Sequence, residues 1–419
     1  MAGTALDLTG PRAGAGIPVY AVYGDLHPAA TMTELLAGGV HLRQLGPDHL
    51  IPVEAGLPHA AQQLLDMLAH HNGRPLAGVV GFDDWWTVAL AALNPAFPLA
   101  AARQLVTDKA ALYTTLTANG VPAPPHLTGP LDHDLLTSAL DRFGAALILK
   151  PATGAGSRGV FRYRTDLTIG ENIAVYQRLR ALGHIDSSVP TIACPYLGGD
   201  DALEISVDAI VCAGNVRHAV VHEKCTATRQ EPFVDQIMLT PPVQPQIVAA
   251  LPGLPAVTAG IVATLQLHDG TLHTELRLHD GVWHVLDIGV RPGSGLVSHA
   301  VQALTGTDPR AVHLAASLGR PLPADVIRSR TPRFAAAAIA CCYLADERRD
   351  AVDLAEQADL AHHLRHDPAV IGWHLNTAEL DDQVYRPDAG LSIGVAAATP
   401  TEASKRLQSL VAPYGYTTP

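Results

Sequence analysis

The sequence predicts a mixed α/β and α+β protein in three parts: a parallel α/β layer over residues 1–107, a small α+β unit over 108–193, and a large antiparallel α+β domain over 194–419. Three observations predict it. The apolar run 76–82 stands between helical stretches near 60–72 and 84–93, the strand–helix alternation of a parallel layer. A proline-rich entry, Val121-Pro122-Ala123-Pro124-Pro125, precedes a helix at 132–143, a hairpin, and a second helix near 171–182. Two long stretches, 203–211 with 216–221 and 271–278 with 282–290, alternate polar and apolar residues across short turns, as antiparallel hairpins do.

A chain of 419 residues has room for two or three domains with buried cores, and 48% hydrophobic with 16% charged residues excludes large-scale disorder. A net charge of −12 argues against a nucleic-acid surface, because phosphate backbones need basic faces. The five cysteines form no C-x-x-C pair and suit reduced thiols. The N-terminus lacks a basic region followed by an apolar run, and no segment is expected to reach membrane-spanning length, so the protein is expected in the cytoplasm with neither nucleic acid nor membrane as partner. Only four lysines occur, Lys109, Lys150, Lys224 and Lys405, which makes each a better candidate for a specific task than in an ordinary chain.

In chain order, residues 1–16 are small and rich in Gly and Pro, and a strand follows at 17–23. Thr107-Asp108-Lys109 opens a helix that stops at Asn119-Gly120. The strand Leu147-Ile148-Leu149-Lys150 then runs into Pro151-Ala152-Thr153-Gly154-Ala155-Gly156-Ser157-Arg158-Gly159, and a second strand begins at Val160. Gly154 to Gly159 fit G-x-G-x-x-G, but a dinucleotide site needs a helix to begin within the glycines, and here a strand begins. The pattern suits a hairpin lid whose amides and lysine close over a triphosphate; a plain hairpin with a flexible loop fits it too. Further on, 191–199 reads as a strand running into a hinge at Pro195-Tyr196-Leu197. Helices are expected at 245–266, 310–320 and 333–345, a strand at 392–397, and a final helix capped by Thr399 with Pro400 at its first position.

Chemistry concentrates in the last hairpin. Alternation puts His273, Glu275 and Arg277 on one face of 271–278, and Asp287 interrupts an otherwise apolar strand twelve residues after Glu275. Two carboxylates on adjacent strands suit magnesium, which takes one or two carboxylates plus phosphate oxygens. Register decides whether they meet. A two-residue Asp280-Gly281 turn would send Asp287 to the opposite face, whereas a three-residue loop, His279-Asp280-Gly281, pairs Leu278 with Val282 and returns both acids to one face; the three-residue loop is therefore expected. The alternative is a plain hairpin with Asp287 in a structural salt bridge. Arg291, before Pro292-Gly293-Ser294-Gly295, suits a carboxylate or a transferring phosphoryl group.

With Lys109, the Lys150 hairpin, the hinge, Glu204, Glu275, Asp287 and Arg291 in this order, the chain resembles the ATP-grasp superfamily, and within it the carboxylate–amine ligase branch that includes L-amino-acid (dipeptide) ligases; the resemblance covers about residues 76–308. It implies the three-part ATP-grasp architecture, with 108–193 as the lid. It implies that Lys109 and Lys150 contact ATP phosphates, that Gly154, Gly156, Ser157 and Gly159 form the closing loop, and that the backbone at Pro195, Tyr196 and Leu197 holds adenine. Ribose falls to Glu204, with Asp200 or Asp201 as substitutes; Glu275 and Asp287 would hold two Mg²⁺ ions, for which Mn²⁺ can stand in. Arg291 and Lys150 would be catalytic. The chain departs from the superfamily pattern at Gly289, where an asparagine is usual, at Asp287, where the longer glutamate is usual, and near Cys194, where a hinge acid is commonly found. The implied activity is ATP-dependent joining of a small-molecule acid to an amine, with amino acids foremost, through an acyl phosphate with release of ADP and phosphate. A carboxylase or small-molecule kinase with the same site, a non-catalytic nucleotide-binding protein, and a homodimer stay open.

Overall fold

Asp108 starts the helix Lys109–Ala118 by accepting hydrogen bonds from the amides of Ala110 and Ala111, two donors that a helix start leaves without intrahelical partners. The computed structural model describes residues 19–25, 41–45, 66, 68–71, 73–82, 99–154, 157–183, 185–225, 237–320, 322, 334–344, 354–375 and 391–417. The expected helices at 84–93 and over most of 60–72, and Gly156 of the loop, lie outside them.

Four strands, β1 (Val19–Tyr23), β2 (His41–Leu45), β3 (His70–His71) and β4 (Arg74–Gly81), form an N-terminal sheet in the order β2-β1-β4-β3. Among the described residues every pairing in it is antiparallel, which corrects the expected parallel layer. Alternation of strand and helix indicates that a strand is covered, whereas its direction is set by the connections. Here β3 folds straight back onto β4, with His71 opposite Arg74 and Gly73 at φ +73°, within the end of the stretch expected to be helical. The sheet packs Val22 and Val80 against Leu314 and Ala315 of the helix Pro309–Ser317.

The small sheet holds β5 (Leu127–Gly129), β6 (Leu147–Pro151), β7 (Phe161–Arg162) and β8 (Thr191–Pro195) in the order β5-β8-β6-β7. The helices His133–Phe143 and Ile169–Leu182 supply Leu136, Ala139 and Tyr176 to a core shared with Leu147, Leu149, Phe161 and Ala193. Thr168 and Glu171 cap the second helix reciprocally.

A nine-stranded antiparallel sheet makes the rest. It runs β13-β12-β9-β10-β11-β14-β16-β15, with β17 paired to β14; the strands are β9 (Leu203–Cys212), β10 (Asn215–Lys224), β11 (Ile237–Thr240), β12 (Gly270–His279), β13 (Val282–Gly289), β14 (Ala336–Leu344), β15 (Val370–Leu375), β16 (Leu391–Ala397) and β17 (Tyr416–Thr417). The largest core joins this sheet to the helices Lys109–Ala118 and Leu254–Thr264, so Leu112, Tyr113 and Leu116 pack with Ile205, Leu276 and Ile288. A second core lies between β14, β16 and the helices Leu354–His366 and Pro400–Val411. The last helix is capped as expected, with Thr399 accepting from the Glu402 amide.

Two helix expectations change. The alanine-rich stretch at 333–345 is the strand β14, hydrogen-bonded to β11 and β16, because sheet pairing on both sides overrides alanine's helix preference. The helix at 245–266 is two helices, Pro245–Ala250 and Leu254–Thr264, separated by a 3₁₀ turn at Leu251–Gly253 where Pro252 and Gly253 break the pattern. Against expectation, Pro245–Thr264 is by length and composition apolar enough to cross a membrane; its residues Ile247, Leu254, Ile261 and Val262 lie in the largest core.

Candidate active site

Strand pairing assembles a polar floor from three neighbouring strands. Along β9, Glu204, Ser206 and Asp208 share one face; across β10 they meet Lys224, His222 and Val220, and across β12 they meet Arg277, Glu275 and His273. The opposite face of β9 carries Ile205, Val207 and Ala209 into the core. Lys224 spans two strands, its ammonium 2.9 Å from Glu204 and 3.2 Å from Glu275.

The carboxylate hairpin reaches the expected result by another route. The turn is the two-residue Asp280-Gly281, with φ of +50° and +75°, and His279 pairs with Val282, so the expected three-residue loop is corrected. A bulge further along restores the faces: Leu276 pairs with Val285 but Glu275 pairs with Asp287, leaving Leu286 as the inserted residue. Asp-Gly is the preferred pair for a turn with both central residues left-handed, and that geometry matches the twist of the strands better than a longer loop.

Tyr113 secures this bulge from the Lys109–Ala118 helix. Its hydroxyl donates to the Leu286 carbonyl at 2.5 Å and accepts from the Lys150 ammonium, which also lies 4.9 Å from the centre of its ring. Burial pushes the Tyr113 hydroxyl well above its ordinary range, so it remains a donor. One turn earlier, Lys109 donates to the Gly154 carbonyl at 2.6 Å and sits 3.1 Å from Asp287. Lys109, Lys150, Gly154, Glu275 and Asp287, spread over 179 positions from first to last, thus converge on one place. The loop carries left-handed backbone at Ser157 and Gly159, and a β-carbon on Gly159 would stand 2.5 Å from Ile185.

At the hinge, the Tyr196 amide donates to Ala146 and its carbonyl accepts from Gly199. The centre of its ring lies 4.4 Å from the Arg277 guanidinium and 5.2 Å from that of Arg162, and Arg162 pairs with Asp200 through two bonds of 2.7 and 2.9 Å. Asp200 and Glu204, the alternatives for ribose, therefore each hold a cation of the chain.

Sequence reasoning missed the buried group behind Glu275. Asp208 accepts from His273 at 2.9 Å and from the Gly293 amide at 2.8 Å, and lies 3.6 Å from His222. Burial works against the His273 charge, but Asp208 outweighs it and lifts His273 to about 10; the Arg291 guanidinium opposes the rise. Burial holds His222 down at about 4 despite Asp208. Burial likewise disfavours an ionised Glu275, yet Lys224 and His273, the latter 3.8 Å away, hold it well below the usual carboxylate range. Gly293 cannot bear a side chain, because a β-carbon would come within 2.7 Å of Asp208 and 2.9 Å of His273. The signal for this group was present: Glu204, Ser206 and Asp208 are the polar positions of one alternating strand. Arg291 donates to the Pro292 carbonyl at the end of the same hairpin.

Glu275 and Asp287 offer hard oxygen donors directly opposite each other, which fits magnesium. Among the described residues no group of three or more His, Cys, Asp or Glu forms a self-sufficient metal centre, so a metal held by the pair would take the rest of its shell from outside these side chains.

No protein-family model and no curated protein matches the sequence. Solved structures do. The L-amino acid ligase from Bacillus licheniformis matches with a TM-score of 0.63 at 17% identity, over 87% of this chain and 85% of that one. The carboxyaminoimidazole ribonucleotide synthase from Aspergillus clavatus, solved with ATP, matches with 0.58 at 18% identity over 78% of each chain. The phosphoribosylglycinamide synthetase from Anaerococcus prevotii matches with 0.57 at 13% identity, over 85% and 84%. The chain has the ATP-grasp fold.

Proposed function

We propose that the protein is an ADP-forming, ATP-dependent carboxylate–amine ligase acting on small molecules, with an amino acid as the acid. The observation that carries this reading is the convergence of Lys109, Lys150 and the opposed pair Glu275 and Asp287 beside Gly154. In it, Lys109 and Lys150 hold phosphate oxygens, and adenine meets the hinge through the backbone of Pro195 and Leu197, since both backbone groups of Tyr196 have protein partners. Glu275 and Asp287 hold Mg²⁺, which when bound neutralises the phosphate charge. Arg291 stabilises negative charge on the transferring phosphoryl group, and Lys224 together with His273 keeps Glu275 ionised. The 154–159 loop keeps water from an acyl phosphate, whose hydrolysis would waste ATP. The L-amino acid ligase among the similar structures supports the substrate class.

A second reading, carboxylation of a small molecule at the same site, draws on the carboxyaminoimidazole ribonucleotide synthases and biotin carboxylase of like fold. Measuring ADP release across a matrix of amino acids and small acids, with mass spectrometry of the products, separates them. An amide product with ADP is expected. AMP with pyrophosphate would overturn the acyl-phosphate route, bicarbonate dependence without an amide would favour carboxylation, and no ADP across the matrix would favour a binding protein.

A further inference from the structure

The chain places an ammonium group of its own on each of the two acids that suit a metal. Lys109 stands 3.1 Å from Asp287, and Lys224 stands 3.2 Å from Glu275. Both lysines are largely buried, with side chains 11% and 2% exposed, so water screens these contacts little. The two differ in what else they hold. Lys224 keeps Glu204 at 2.9 Å whatever happens at Glu275, whereas Lys109's other contact is the neutral Gly154 carbonyl at 2.6 Å. An arriving triphosphate offers Lys109 more negative charge than the single Asp287 carboxylate and a charged acceptor in place of the neutral Gly154 carbonyl.

We propose that Lys109 and Lys224 are built-in counterions that compete with a divalent cation for Asp287 and Glu275, so that metal binds tightly only together with a nucleotide whose phosphates draw Lys109 off Asp287. The proposal rests on the ATP-site reading and adds an order to it. Without nucleotide, a metal ion entering between the acids meets two ammonium groups at the oxygens it needs. With nucleotide, Lys109 moves onto phosphate, Asp287 turns to the metal, Lys224 stays on Glu204, and phosphate oxygens complete the metal's shell. The cost of displacing the ammonium is thereby met only when the correct partner is present.

The test is Mn²⁺ binding to the full chain, followed by electron paramagnetic resonance, with and without a non-hydrolysable ATP analogue. In the native protein the analogue is expected to tighten Mn²⁺ at least tenfold. Lys109→Gln should bind Mn²⁺ alone about tenfold more tightly than the native protein while binding the analogue more weakly, two changes of opposite sign that a merely structural lysine would not produce. Lys109→Arg, which keeps the charge, should leave Mn²⁺ binding weak, and adding Asp287→Asn to Lys109→Gln should abolish the gain. Lys224→Gln repeats the test at Glu275. If neither Gln variant binds Mn²⁺ alone more tightly than the native protein, or if the gain survives Asp287→Asn, the proposal fails. Should the native protein bind no nucleotide, the ATP reading fails separately, because the comparison of Mn²⁺ alone requires none.

Discussion

On the sheet side of the site, Glu204, Asp208, His273 and Glu275 are placed by strand register, each flanked by partners on the next strand. On the loop side, Gly154, Ser157 and Gly159 are placed by backbone angles, with φ of +144°, +57° and +71°. The difference separates two tasks. A register holds charges in fixed opposition, which suits a metal and a buried ion network; a chain of special backbone angles fixes few side-chain contacts and suits a segment that must change position. Tyr113 joins the two sides, since one hydroxyl touches both Lys150 and the bulge that aligns Asp287.

Adding one methyl group on each side breaks the comparison open. Gly293→Ala drives a β-carbon to 2.5 Å from Val297 and 2.7 Å from the buried Asp208, so it is expected to cost about 4 kcal/mol, read by denaturant unfolding, and to abolish turnover. An unchanged midpoint would mean that the floor yields as easily as a loop. An intermediate effect is expected from acid. His222 is buried neutral, with its value lowered to about 4 from an ordinary 6.5, so its contribution is fully present above pH 6.5 and lost as pH falls from 6.5 through 4. Full protonation corresponds to roughly 3 kcal/mol at 1.36 kcal/mol per unit. Melting curves from pH 7 to 4 should show the native protein losing stability faster than His222→Gln; parallel curves would sink the assignment. Smallest is Gly159→Ala, where the close neighbour is the flexible tip of Ile185 and the main cost is left-handed backbone, about 1 kcal/mol. A loss equal to that of Gly293→Ala would make the loop as rigid as the floor.

What was legible in the sequence follows the same division. Alternation in β12 put His273, Glu275 and Arg277 of the floor on one face, since strand side chains repeat every two residues, while the polar positions of β9 and β10 that face them went unread. The facing of Glu275 and Asp287 was legible as a requirement, but its cause was not, because a bulge leaves no mark as plain as Asp280-Gly281. Tyr113 was invisible, for its partner carbonyl lies 173 residues away and nothing local distinguishes it from a core tyrosine. The alanines of β14 pointed to a helix because their preference is local and the pairing that overrides it is not. Strand direction at the N-terminus was equally hidden, being a property of connections rather than of strands.

The site's floor and the C-terminal layer are one continuous sheet, with β10 hydrogen-bonded to β11 and β11 to β14. A chain cut just before residue 334 would keep every residue assigned to the site yet strip β11 of its outer neighbour, only one strand away from His222 and Lys224. The bare amides and carbonyls so uncovered form a template for another strand. Such a shortened protein is expected to associate edge to edge into oligomers on a sizing column, and the last 86 residues are in that sense a guard against self-assembly.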